Sequence, residues 1–265
     1  MIDAHVHIER GPYSKSWIDA FVERAKIAGI DELYLLEHSF RFHEFRGIYD
    51  SVGKHSEAGD YQRNWFESKC CLRLDQYTRL ISALRGRGYP ITVRFGLEIC
   101  YFPEHEDAIR EIVSDFEWDF LTGAIHWIDG FGFDHWENIP IWLKTDVNKL
   151  YRRYYTLMVL AIESGIFDVI AHPDSIKCFD FYPSDDLHSV YEEVADSAKK
   201  QQVKMEFSNG LFINFGHREL GMNREFLRVL QQNRVRLVTA SDAHRPEDVG
   251  RYIAEAEGII REGYA

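Results

Sequence analysis

The sequence predicts an α/β fold, a single domain built as a barrel of seven βα units. Three observations lead there. The 265-residue chain is long enough for one substantial core, and α/β barrels of this length commonly form one domain. Short apolar runs alternate with amphipathic stretches nearly throughout, which is the rhythm of βα units. No polar linker separates the repeats, so nothing marks a second domain, and residues 1–265 read as one unit. A doubly wound open sheet has the same periodicity and is the competing architecture.

Each unit can be justified in turn. The run IDAHVH (2–7) is followed by a helical pattern near 14–29, and ELYLLEH (32–38) by one over 59–87. ITVRFGLEI (91–99) precedes the helix near 104–117, and DFLTGAIHW (119–127) precedes 146–164. FDVIAHP (167–173) leads to 184–200, VKMEFSN (203–209) to 222–232, and VRLVTASDA (235–243) to 246–262. The strand runs are short and apolar, whereas the helical stretches repeat their apolar residues every three to four positions. Segments 39–58 and 128–145 break this rhythm. Both follow the C-terminal end of a strand, the face that carries the active site in a barrel, so they are candidate lids or pocket walls.

Composition narrows the functional classes. Hydrophobic residues at 45% and aromatics at 14% argue against disorder. A net charge of −12 argues against nucleic acid or an anionic membrane as the main partner. An anionic substrate would then need a local cation, and bound metal ions would provide one. Cys70, Cys71, Cys100 and Cys178 show no CxxC spacing, and the first two fall in a helical-looking stretch, which points to a reducing, cytoplasmic setting. The beginning, MIDAHVHIERG, lacks a signal-peptide pattern, and no apolar run approaches the ~18 residues of a membrane span.

Residues with metal-ligand chemistry collect at strand ends. His5 and His7 lie two apart at the end of the first strand, so their side chains point the same way. His38 closes the second, Glu98 the third, His126 the fourth and His172 the fifth. Glu206 and Asn209 lie on the sixth, and Asp242 and His244 end the seventh. Six of the 12 histidines therefore share one end of the strands. Singly, each has an ordinary reading: a surface histidine, a paired core acid, or a helix cap at Asp242. Together, they would all need separate reasons to point at one mouth. Imidazoles with carboxylates suit zinc, manganese or iron, and the set exceeds the needs of one tetrahedral ion, so two or three divalent ions are expected.

The ordered series HVH, EH, GLE, IHW, HPD and SDAH, with EFSNG before the last unit, resembles the PHP (polymerase and histidinol phosphatase) family, and within it the histidinol-phosphate phosphatase branch. The resemblance spans nearly the whole chain. It implies a distorted, TIM-barrel-like seven-unit (β/α) barrel with a trinuclear metal centre at its mouth. By it, His5, His7, Glu98 and Asp242 bind a first ion, and Glu98 bridges to a second held by His126 and His172. His38 and His244 hold a third. Relatives place a further His or Asp about six positions beyond the second His of HVH, where this chain has Tyr13; Glu9, in ERGPY, is the expected replacement.

The resemblance also implies a reaction: a metal-bridging hydroxide hydrolyses a small phosphomonoester, with L-histidinol phosphate as the leading candidate. Glu98 then bridges metals, and Asp242 or His244 protonates the leaving alkoxide. The arginines that relatives use for phosphate are missing. Lys177 stands at the first such place, Arg218 is the substitute for the second, and Asn209 completes the substrate-binding set. Lysine lacks arginine's bidentate fork, which leaves open another phosphomonoester as substrate. Phe40, Phe42, Phe45, Trp127, Phe131, Phe133 and Trp136 either wall a pocket for a ring-bearing substrate or anchor the loops. An amidohydrolase-type hydrolase is the second enzymatic reading, and a non-catalytic metal-binding module is the reading from another class. Oligomeric state is not legible.

Overall fold

The computed structural model describes residues 1–54 and 57–264, so residues 55 and 56 of the long segment 39–58 lie outside the described residues. Seven strands form one parallel sheet: β1 (Ile2–His7), β2 (Glu32–Leu36), β3 (Thr92–Cys100), β4 (Phe120–Ala124), then β7 (Val169–Ile170), β8 (Lys204–Ser208) and β9 (Leu237–Ala240). Between β4 and β7 lies a small antiparallel pair, β5 (Trp127–Ile128) and β6 (Phe131–Gly132).

The sheet nearly closes. The amide of His7 donates to the carbonyl of Ala243 at 2.8 Å, joining β1 to the chain just past β9. Asp3 staples the same seam: its two oxygens accept the amide and hydroxyl of Ser241 at 2.8 and 2.7 Å. Burial pushes the Asp3 carboxyl up to about 6, against the pull of those hydrogen bonds. The barrel is therefore the architecture, not the open sheet.

Three of the helices that cover the strands begin on side-chain caps. Ser14 caps α1 (Lys15–Ile27), Asp146 caps α6 (Val147–Glu163), and Asn223 caps α8 (Arg224–Gln232) by accepting the Glu225 and Phe226 amides. The helix expected over 59–87 is two, α2 (Gly59–Lys69) and α3 (Leu74–Leu84), so Cys70 and Cys71 lie in the break and not in a helix. The turn at 70–73 pairs with Arg41 and His43 of the loop after β2 and anchors that loop. The remaining helices are α4 (Glu106–Ser114), α5 (Ile139–Trp142), α7 (His188–Gln201) and α9 (Ile253–Glu262). No described helix is long and apolar enough to cross a membrane.

Inside the barrel, Ala4, Tyr34, Leu36, Phe120, Val169 and Val238 form a small core of their own, separate from the larger one under the helices. Gly96 is needed there, because a Cβ on it would come within 2.6 Å of the Phe120 ring. One irregularity sets up the site. The pairing of β1 with β2 shifts between Asp3 and Val6, leaving Ala4 and His5 together opposite Tyr34. Strict alternation from Ile2 and Ala4 would turn Val6 inward and His5 and His7 outward. The bulge reverses this: Val6 packs under the helices and both histidines enter the barrel.

Candidate metal centre

The two inward histidines meet the ends of five other strands above the small inner core. Glu98, fully buried on β3, is the hub. Its Oε2 lies 3.5 Å from His5 Nε2, 3.4 Å from His7 Nε2 and 3.1 Å from His38 Nε2. Its Oε1 lies 3.5 Å from His126 Nε2 and 3.0 Å from His172 Nε2. One carboxylate thus faces five imidazoles, three on one oxygen and two on the other. Asp242 closes the first group, with Oδ1 3.8 Å from His5 and 3.6 Å from His7.

A second acid works at the rim. Glu9 places Oε2 3.6 Å from His38 Nδ1 and Oε1 3.5 Å from His244 Nε2. Arg41 Nη1 is 3.3 Å from the same Oε2, so Glu9 is shared between two imidazoles and a guanidinium. One close donor trio, however, joins His38 and His244 with His7 as its third member and not Glu9.

The sequence-expected ligands therefore come together: His5, His7, Glu9, His38, Glu98, His126, His172, Asp242 and His244 all border one mouth. How they are aimed differs from the expectation of strand alternation. β7 ends at Ile170 and β9 at Ala240, so His172 and Asp242 lie just past their strands with φ of 28° and 55°. Asp and His visit this left-handed region more readily than most residues, and single strained positions of this kind cluster at functional sites. The close approach also explains Gly210, where a Cβ would meet the Asp242 carboxylate at 2.1 Å.

Electrostatics follow from burial and crowding. Burial would raise the Glu98 carboxyl, yet the surrounding histidines hold it well below the usual range. Glu9 is likewise held low by His38, His244 and Arg41 against its burial. Burial would lower His5, but Glu206 and Glu98 carry it well above the ordinary histidine value; His7 is driven well below it by burial and by crowding from His38 and His244. Burial takes His126 down to about 4.

The donor set fits divalent cations. Buried polar atoms here lack hydrogen-bond partners among the described residues: Glu98 Oε2 and the Nδ1 atoms of His7, His38 and His172. His5 Nε2 and His7 Nε2 face one another at 2.9 Å, and crowded imidazole and carboxylate donors of this kind match zinc, manganese or iron. Close trios are His5, His7 and Asp242; His5, Glu98 and His172; and His7, His38 and His244.

The expected substrate-binding residues do not gather in the same way. Lys177 is 1% exposed, with Nζ 2.8 Å from Asp174 and 2.9 Å from Glu219, so its charge is already paired inside the fold. Arg218 is mostly exposed, beside Asp180 at 3.7 Å and over the Tyr182 ring. Asn209 is buried and donates to the Arg251 carbonyl, placing it behind the site. The loop aromatics serve chiefly as anchors: Phe40, Phe42, Phe45, Trp127, Phe131 and Phe133 are buried, and Trp136 alone of the seven is exposed.

Two residues near the centre have partners the sequence does not assign: Glu206, which the sequence places among the strand-end groups without a site, and Cys100. Glu206 accepts a hydrogen bond from His5 Nδ1, and Cys100 Sγ lies 3.1 Å from His126 Nδ1. Period-2 spacing on β8 and β3 signals their placement but not these partners.

The sequence model of the PHP domain family matches residues 3–210. A protein of Deinococcus radiodurans described as a "probable histidinol-phosphatase" is 28% identical over 209 residues, 75% of this chain and 76% of that protein. A Listeria monocytogenes structure described as a "putative histidinol phosphatase" superposes with a TM-score of 0.74 at 17% identity, covering 96% of this chain and 99% of that one. The histidinol phosphate phosphatase of Lactococcus lactis, complexed with zinc, L-histidinol and phosphate, gives 0.71 at 16% identity over 99% and 93%. At such identities these two structures bear on the fold, and both support the barrel.

Proposed function

The chain belongs to the PHP domain family, and from that membership we propose that it is a metal-dependent phosphatase acting on a small phosphomonoester, L-histidinol phosphate. One observation carries the reading: the single buried carboxylate of Glu98 spreads its two oxygens over His5, His7 and His38 on one side and His126 and His172 on the other. This is the arrangement of a bridging ligand. Asp242 completes the first set, and His38, His244 and Glu9 form the third. Two or three divalent ions, zinc, manganese or iron, would supply Lewis acidity and a water activated near neutral pH when bound.

The chain's own residues do the remainder. The bulge at Ala4 and His5 keeps both HVH imidazoles inward, and Glu98 holds five donors about one point, so the reacting phosphate meets a fixed constellation. Asp242 and His244, 17% and 15% exposed, reach the open side of the mouth, where a departing alkoxide can take its proton. With ions bound, the mouth would offer an anion positive charge without the Lys177 ammonium, which is already paired. Residues 1–265 act as one unit in the cytoplasm, on a small molecule and not on nucleic acid or a membrane.

Phosphate release from a panel of phosphomonoesters tests this. Metal-loaded protein is expected to turn over L-histidinol phosphate and to lose that activity on chelation. No release from any phosphomonoester would overturn the reading.

A further inference from the structure

Glu206 projects from β8 into the barrel and has no exposed surface. Its two oxygens are both committed, to two different strand ends. Oε1 accepts from Nδ1 of His5 at 2.9 Å, and Oε2 accepts the backbone amide of His172 at 2.9 Å. His5 lies on β1, whereas His172 lies past β7 in its left-handed conformation.

Each bond has a consequence. A carboxylate is an acceptor only, so His5 must donate from Nδ1. That leaves the lone pair of the neutral ring on Nε2, the atom that faces Glu98, His7 and Asp242. The second bond fixes the backbone that aims the His172 ring at the opposite oxygen of Glu98. We propose that Glu206 is a positioning residue that presets the His5 tautomer and the His172 backbone together, so that two ion sites depend on one carboxylate belonging to neither. The proposal rests on the metal reading given above. Outer partners of this kind typically govern metal affinity by about 10–100-fold.

Glu206→Gln is a near-isosteric probe. Its amide has one acceptor and one NH2 group, so whichever way it turns a donor faces either His5 Nδ1 or the His172 amide. Turned to His5, it forces the proton onto Nε2 and removes the inward lone pair; turned to His172, it opposes two donors.

The test measures zinc affinity by competition with a chromophoric chelator, zinc per chain after dialysis, and the 15N shifts of His5 in zinc-loaded protein. Expected are an unchanged circular dichroism spectrum and zinc binding weakened by about 10–100-fold in Glu206→Gln. Glu206→Asp, too short to span both donors, is the second variant and should show a comparable loss. Unmodified protein should show His5 protonated at Nδ1. A purely structural residue would lower the melting temperature of both variants and leave the zinc affinity of the folded protein unchanged. That result, or an Nε2–H tautomer in the unmodified chain, overturns the proposal alone. Unmodified protein that binds no zinc overturns the metal reading and the proposal with it.

Discussion

Two buried clusters of charged groups lie toward the same end of the barrel, around Lys177 and around Glu98. In the first, every charge has a partner. Lys177 binds Asp174, Glu219 and the Gly221 carbonyl, while Asp174 also accepts from the Tyr155 hydroxyl and the Asn223 amide. In the second, one carboxylate faces five imidazoles, and Glu98 Oε2 and three ring nitrogens have no hydrogen-bond partner among the described residues. A buried polar group left unmatched costs free energy, a cost that a bound cation at the Glu98 cluster would offset. The first cluster is self-sufficient, as a structural ion pair should be; the second has the composition of a ligand set.

The largest effect should come from the hub. Glu98→Gln is expected to lower turnover by at least about 10³-fold with the fold intact by circular dichroism. Retained turnover would remove the distinction between the clusters. Lys177→Met is its mirror image. Removing one partner of a buried pair typically costs about 3–5 kcal/mol, which denaturant titration would detect. Both kcat and KM of the folded protein should stay unchanged, and a raised KM would return Lys177 to the substrate.

Glu9 lies between the two extremes, since Arg41 already balances part of its charge. Glu9→Gln should cost one ion per chain by elemental analysis and about 10–100-fold in activity. An unchanged metal count would leave the third site to His7, His38 and His244.

The most gradual effect concerns Glu37, buried behind the site beside Arg41 and His38. Burial pushes its carboxyl up to about 8 from an ordinary value of 4.5. An acid whose pKa is raised on folding keeps its proton while the unfolded chain loses its own. Its contribution therefore falls as pH climbs from 4.5 toward 8. Metal-free Glu37→Gln should gain on the unmodified protein by up to about 1.4 kcal/mol per pH unit across that window. Parallel stability curves would contradict the assigned burial cost.

Much of the site was legible because its signals are local. A histidine or acid at the end of an apolar run can be read without knowing what lies opposite, and HVH, GLE and SDAH each read that way. What escaped depends on partners far along the chain. Nothing in SIK reveals that Lys177 meets Glu219, 42 positions on. The bulge at Ala4 and His5 exists only against Tyr34 of the next strand, and the HVH pattern suggested the right face without it. Asp242 and His172 were placed at strand ends, but turns past the strands aim them. The break at 70–73 is set by its pairing with the loop at Arg41 and His43, which no helical periodicity records.

Elemental analysis of protein purified without chelator decides whether the Glu98 cluster holds ions. Close to three ions of zinc, manganese or iron per chain are expected, with their loss abolishing phosphate release. A fully folded chain with no bound ion, and no gain of activity on adding these metals, would contradict the metal reading.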